Sequence, residues 1–260
     1  MKAPLTLLYH AVADPPPGCD LEERRIFVTP RQFEGQMASL ARRGYRSLRL
    51  DEYARRLGNG GTARTVLITF DDAYAHVDEV VTPILRRHGF SAVMFVPWAY
   101  IGGRNSWDSR HPRLAALEIA GPDQLRAMVG VWELASHGLR HVDLRATPSE
   151  SRQRELAAAR EGLSELAGRR VVELAYPFGY HDAAVRRDTA AAGYELAFTS
   201  SGAATGDSLQ LPRRPIRSED GRLAFRAKTE PAGAWLYRLH RLARRGGGRR
   251  VQAVAAEASS

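Results

Sequence analysis

The 260-residue chain contains a single cysteine, Cys19. That excludes an internal disulfide and a cysteine-cluster metal site. No apolar run approaches the roughly 20 residues that span a bilayer. The N-terminal run, Leu5 to Leu8, is ended by Tyr9 and His10. It is too short for a secretory leader, and Asp14-Pro15-Pro16-Pro17 offers no small-residue cleavage site. The expectation is a cytoplasmic protein. Internal repeats are absent too. Acidic residues are in deficit, 29 against 38 lysines and arginines, for a net charge of +9. A basic excess invites a nucleic-acid-binding module as an alternative function. The arginines, however, are scattered in pairs such as Arg42-Arg43, Arg86-Arg87 and Arg186-Arg187, without interleaved aromatics or a nucleic-acid motif. With 44% hydrophobic and 26% charged residues the chain is ordinary globular protein.

Strand-like and helix-like stretches alternate. Leu5–Tyr9, Arg46–Leu50, Val66–Phe70, Ser91–Val96, Val131–Ala135, Val171–Tyr176 and Leu196–Ser200 read as strands. Helices are expected from Thr29-Pro30 to Gly44, from Thr82 to His88, from Ser149 to Ala167, and from Asp182 through Ala192. This order predicts an α/β fold with a mostly parallel sheet. Periodicity alone leaves a closed barrel and an open doubly wound sheet both possible. Residues 102–121 read as an irregular surface excursion over the sheet.

Active sites of parallel α/β folds gather at the C-terminal strand ends. Three such ends carry chemistry. Thr69-Phe70-Asp71-Asp72 places two carboxylates directly after a buried strand, which is costly without a cation or hydrogen bonds to accept them. Ser136-His137-Gly138-Leu139-Arg140-His141 holds two histidines at i and i+4, able to converge on one ion if the segment forms a helical turn. Ala175-Tyr176-Pro177-Phe178-Gly179 makes a rigid turn that can aim a backbone N–H at a reacting oxygen. Together these supply two imidazoles, one carboxylate and a spare carboxylate, a donor set suited to catalytic zinc or a related divalent ion.

In this order the motifs resemble those of the polysaccharide deacetylases, the NodB-like domain of carbohydrate esterase family four. The likeness runs from Leu8-Tyr9-His10 to about Arg217. It implies a distorted (β/α) barrel in a single catalytic domain, residues 1–230, and metal-dependent removal of an N-acetyl group from an amino sugar. It further implies Asp71 as general base and Asp72, His137 and His141 as metal ligands. Zinc is the expected ion, with cobalt, nickel or manganese as alternatives. The backbone N–H of Phe178, with Tyr176 beside it, is implied as the oxyanion-binding group.

Two departures stand out. Where many members carry a base-orienting Arg, this chain has Ala175, and Arg213 in Leu211-Pro212-Arg213 is the candidate replacement. The C-terminal Leu-x-His acid is matched only loosely by Leu239-His240, so His10 after the first strand is the better candidate acid. Trp107, in the excursion, is a candidate sugar-stacking surface. The expected partner is an N-acetylated glycan or a lipid-linked sugar, and N-deformylation on the same fold is an alternative. Residues 231–260 read as a basic amphipathic helix and flexible tail. The 234–250 segment, with Trp235, Leu236, Leu239 and Leu242 among arginines, is a candidate contact with an anionic membrane.

Overall fold

The computed structural model describes residues 3–58 and 64–230. The expected amphipathic segment and tail, with Leu239-His240, lie outside the described residues. By its internal contacts the chain divides into Met1–Glu219 and Asp220–Ser260. The second unit contributes one described helix, Arg222–Thr229, whose Lys228 pairs with Asp220 just before the helix.

The strands are β1 (Leu5–Tyr9), β2 (Ala11–Val12), β3 (Phe27–Val28), β4 (Arg46–Ser47), β5 (Thr65–Phe70), β6 (Ala92–Val96), β7 (Trp132–Ser136), β8 (Glu173–Ala175), β9 (Leu196–Thr199), β10 (Leu211–Pro212) and β11 (Arg214–Pro215). Nine of them form one parallel sheet in the order β10-β9-β8-β7-β6-β5-β1-β11, with β4 on β5. The two ends of that order are consecutive in sequence. β10 pairs with β9 through Leu211 and Phe198, and β11 pairs with β1 through Leu7 and Arg214. Only Arg213 separates them. Five residues, Leu211 to Pro215, therefore bring the sheet's first and last strands together into a distorted (β/α) barrel.

Packing follows the two-residue period of the strands. Val93, Phe95, Ala135, Ala175 and Phe198 share one buried cluster with Leu67 and Tyr53. The alternate residues face the helices. Tyr9 stacks on Phe70 across the β1–β5 pair, Phe33 meets both edge-on, and Trp132 meets Phe70. Leu174 and Tyr176 pack with Leu156, Val185 and Tyr194 in a second cluster.

Three elements depart from the sequence expectation. The helix expected from Thr82 begins at His76, and Pro83 lies inside it. Burial of Val77, Val81, Ile84 and Leu85 holds it together despite a cost of about 3 kcal/mol for an interior proline. The strand expected over 46–50 is only two residues long, because Leu50 opens a helix, Leu50–Arg56, whose first N–H donates to Glu133 Oε2 at 2.9 Å. The 102–121 excursion is not merely superficial. It contains a short helix, Pro112–Ala115, pairs with Tyr74 through Ile119, and buries Asn105 completely. Many of the scattered arginines are paired on the surface, as in Arg46 with Glu52, Arg87 with Glu34 and Arg154 with Glu150.

Candidate active site

The end of β5 builds the first half of the site. Asp71 N–H still bonds to Tyr9 O at 3.0 Å, as the sheet would dictate. Asp72 and Ala73 then adopt φ of 71° and 55°, in the left-handed region. The abrupt turn leaves both carboxylates buried, at 3% and 5% exposure. Such backbone strain persists where surroundings over-determine it, characteristically at functional sites. Among the described residues five non-glycines have positive φ, and four of them are Asp72, Ala73, His141 and Phe178.

The second half follows β7. His137 N–H continues the sheet to Val96 O at 2.9 Å, and its Nδ1 meets Ala175 O at 2.8 Å. That carbonyl fixes the tautomer: Nδ1 carries the proton and Nε2 presents a lone pair. The helical turn expected for the histidine pair is absent. Gly138 (φ 78°) and His141 (φ 52°) turn the loop instead, and it is tied down from outside. Gly138 O and Leu139 O accept from Trp98 N and Ala99 N, while the fully buried Glu155 takes Arg140 N–H and Nε.

The result is convergence. One ligand atom from each of Asp72, His137 and His141 lies within 4.8 Å of the others. Asp72 Oδ1 is 3.5 Å from Nε2 of both histidines, is buried, and has no hydrogen-bond partner. A buried carboxylate oxygen facing two imidazole nitrogens at that distance is costly unless a cation sits among them. The residues therefore fit a divalent ion.

The electrostatics favour a charged Asp72 and a neutral His141. Burial opposes ionisation of Asp72, but the histidines around it outweigh burial and hold its pKa low. Burial pushes His141 down to about 3, helped by His137. Burial acts the same way on His137, yet the charges of Asp71 and Asp72 and the Ala175 carbonyl outweigh it and raise its pKa.

Arg213 lies at the seam of the barrel and is 2% exposed. Its NH1 and NH2 donate to Asp71 Oδ1 and Oδ2 at 2.6 and 2.7 Å, its Nε to Thr199 O at 3.1 Å, and NH1 also to Thr69 Oγ1 at 3.2 Å. Burial opposes the Asp71 charge, and Arg213 with His137 overcomes it, so the carboxyl lies below its ordinary range. Asp71 Oδ2 is 3.8 Å from His137 Nε2, which places this spare carboxylate beside the three ligands. His10, after β1, lies within electrostatic reach of Asp71, Asp72 and Asp108.

Phe178 is at the rim, 45% exposed, its ring 4.6 Å from that of His141. Its left-handed backbone (φ 59°, ψ 1°) depends on Gly179 (φ 71°), where a Cβ would lie 2.6 Å from Ser200 N. Tyr176 corrects the sequence reading. Because Ala175 faces inward, Tyr176 faces outward, fully buried among the helices. Its N–H donates to Phe198 O and its hydroxyl to Leu209 O, leaving no donor for an oxyanion. Trp107 is half-buried and turned toward the ligand loop. Its ring lies on His141, with centroids 4.7 Å apart and planes at 29°, and meets Tyr100 at 4.6 Å. Tyr74, Asn105 and Glu155 were not singled out in the sequence, and only their long-range contacts reveal them.

The model of the family "Polysaccharide deacetylase" matches residues 58–197, over half the chain. YxkH of Bacillus subtilis (strain 168), named for the same family, is 24% identical over 225 residues, covering 85% of this chain and 72% of that protein. Among solved structures, Streptococcus pyogenes deacetylase PplD, in complex with acetate, superposes with a TM-score of 0.74 at 23% identity, over 89% of this chain and 99% of that one. IcaB from Ammonifex degensii gives 0.71 at 20% identity, over 90% and 97%. These structural likenesses concern the barrel. With the family match across β5 to β9, they establish that the chain belongs to the polysaccharide deacetylases, hydrolases of N-acetyl amides.

Proposed function

We propose that this chain is a metal-dependent N-deacetylase of an amino-sugar-containing glycan or glycoconjugate. The carrying observation is the convergence of Asp72, His137 and His141 on one point, beside an Asp71 held as a buried carboxylate by Arg213. When bound there, a divalent ion, with zinc as the first candidate, supplies Lewis acidity toward the amide carbonyl and a water of lowered pKa.

The chain's own residues do the rest. Asp71 takes the proton of the attacking water, at Oδ2, the oxygen nearer His137. Arg213 occupies one lone-pair direction on each Asp71 oxygen and keeps the group ionised in a buried setting. The Phe178 N–H is the candidate donor to the oxyanion that forms as the carbonyl carbon becomes tetrahedral. As the C–N bond breaks, the leaving amine needs a proton, and His10 is the candidate to give it. The balance is one water and one amide in, one acetate and one amine out. The exposed rings of Phe178 and Tyr180, 45% and 47% exposed with centroids 5.9 Å apart, offer apolar faces for sugar rings outside the reacting centre.

The test is acetate release by metal-analysed protein across N-acetylated oligosaccharides, lipid-linked N-acetyl sugars and small N-acetyl glycosides, with N-formyl analogues in parallel. Asp71→Asn is the control: it is expected to keep metal and lose about 10²- to 10⁴-fold in rate. Release from formyl but not acetyl substrates would replace deacetylation by deformylation at the same site. Release from neither would refute the reading.

A further inference from the structure

We infer that the 102–121 excursion is the outer half of the metal centre: Asn105, through Tyr74, positions Asp72, and Trp107 positions His141. The inference rests on the metal-dependent reading above and concerns residues outside the three-donor set.

The first connection is a directed chain of hydrogen bonds. Asn105 is completely buried. Its Oδ1 accepts from Asp108 N at 3.3 Å, which fixes which end of the amide is which. Its Nδ2 donates to Asp108 Oδ2 at 2.9 Å and to the Tyr74 hydroxyl oxygen at 2.8 Å. A hydroxyl that already accepts is left with its own hydrogen to give. Tyr74, 1% exposed, follows Asp72 by two residues, and the Asp72 charge acts on its phenol. Asp72 Oδ1 has no hydrogen-bond partner and faces the two Nε2 atoms, which leaves the other oxygen open to the phenol's hydrogen. The polarity from amide to phenol is thus set one loop away from Asp72.

The second connection is made of rings. A histidine ligand is ordinarily oriented by a hydrogen bond from its other ring nitrogen. His137 has that bond, to Ala175 O, whereas His141 Nδ1 is buried without a partner. What surrounds His141 instead is aromatic: Trp107 at 4.7 Å and 29°, and Phe178 at 4.6 Å and 71°. Trp107 Nε1 is itself buried and unpartnered, so its ring is held by stacking and by Tyr100, not by a hydrogen bond. His141 has a left-handed backbone, with φ 52°, and a side chain with no polar tether. The stacked indole supplies the missing restraint.

The test uses the full chain, titrated with zinc and with cobalt(II) by calorimetry, with the visible cobalt spectrum reporting ligand geometry. Tyr74→Phe removes only the hydroxyl. Trp107→Leu keeps an apolar filler without a π face, and Trp107→Phe restores a ring. Outer partners of metal ligands are typically worth about 10- to 100-fold in affinity. Tyr74→Phe and Trp107→Leu are each expected to weaken both metals by that factor, with an altered cobalt spectrum in Trp107→Leu that Trp107→Phe brings back. Thermal melts identify any variant that fails to fold, in which case the near-isosteric Tyr74→Phe decides. Wild-type affinity and spectrum in Tyr74→Phe and in every folded Trp107 variant overturn the inference while leaving the metal reading intact. A wild-type chain that takes up neither metal overturns both.

Discussion

Replacing Arg213 by leucine removes one half of a buried, bidentate ion pair. The two side chains are 0% and 4% exposed and meet at 2.6 and 2.7 Å. Solvent screening is therefore slight, and the loss of one partner from such a pair costs about 3–5 kcal/mol. That cost has two outlets. Asp71 can stay charged, and the barrel loses stability, at roughly 2–4 °C of melting temperature per kcal/mol for a domain of this size. Alternatively Asp71 takes a proton, and the base is lost. If the whole cost falls on ionisation, the acid limb of the rate profile moves up by about 2 to 4 pH units, toward neutral, since each 1.36 kcal/mol is one pH unit.

The pH dependence separates the outlets. In the parent chain the Asp71 pKa is lowered, so its contribution to stability is present above the ordinary carboxylate pKa and lost as pH falls through the native value. In Arg213→Leu burial acts without its main opponent, and the direction reverses. The folded state then binds the proton more readily than the unfolded chain, so the variant gains stability as pH falls from neutral. Its activity returns as pH rises. The assay is kcat/KM for acetate release against pH, with melting temperatures over the same range. An acid limb and a melting profile identical to the parent's would refute the assignment of Arg213 as the residue that keeps the base ionised.

Other consequences follow from particular contacts. In the Ser149–Ala167 helix a Cβ at Gly162 would meet the Trp98 ring at 2.3 Å. Gly162→Ala gains about 1 kcal/mol of helix propensity but loses about 1–3 kcal/mol to overpacking. Denaturant unfolding is expected to show no net stabilisation, and a gain of a full kcal/mol would show that the ring yields freely. Tyr180→Ala is expected to raise KM for N-acetylated oligosaccharides several-fold while leaving kcat and small-glycoside turnover unchanged. Equal effects on short and long substrates would place the ring outside the sugar path. At the end of β5, Asp71→Asn is expected to titrate with zinc stoichiometrically despite its lost activity, and failure to bind would move Asp71 from base to ligand.

Parallel strands after buried apolar runs were legible, and with them Asp71, Asp72, His137 and His141, because chemistry at strand ends leaves its mark within a few residues. The two-residue strands β10 and β11 leave no periodic trace, so the closure of the barrel, and with it the inward aim of Arg213, is a property of the topology. Arg213 was reachable only as the substitute for the residue that Ala175 displaces. Tyr176 was misplaced for a local reason that the period of two could have supplied: its neighbour Ala175 faces inward. Asn105, Trp107 and Tyr74 act across 31 residues or more of sequence, through Asn105 on Tyr74 and Trp107 on His141. A single sequence carries no signal for such pairs.

The central claim is that three ligands, Asp72, His137 and His141, hold an ion on which N-deacetylation depends. The most direct test is acetate release from an N-acetylated oligosaccharide by chelator-stripped protein as zinc is added back. The expected result is no activity in the stripped chain, restoration that saturates at one zinc per chain, and no restoration in Asp72→Ala or His137→Ala at the same zinc concentration. Undiminished acetate release from the stripped chain, or from Asp72→Ala free of metal, would contradict it.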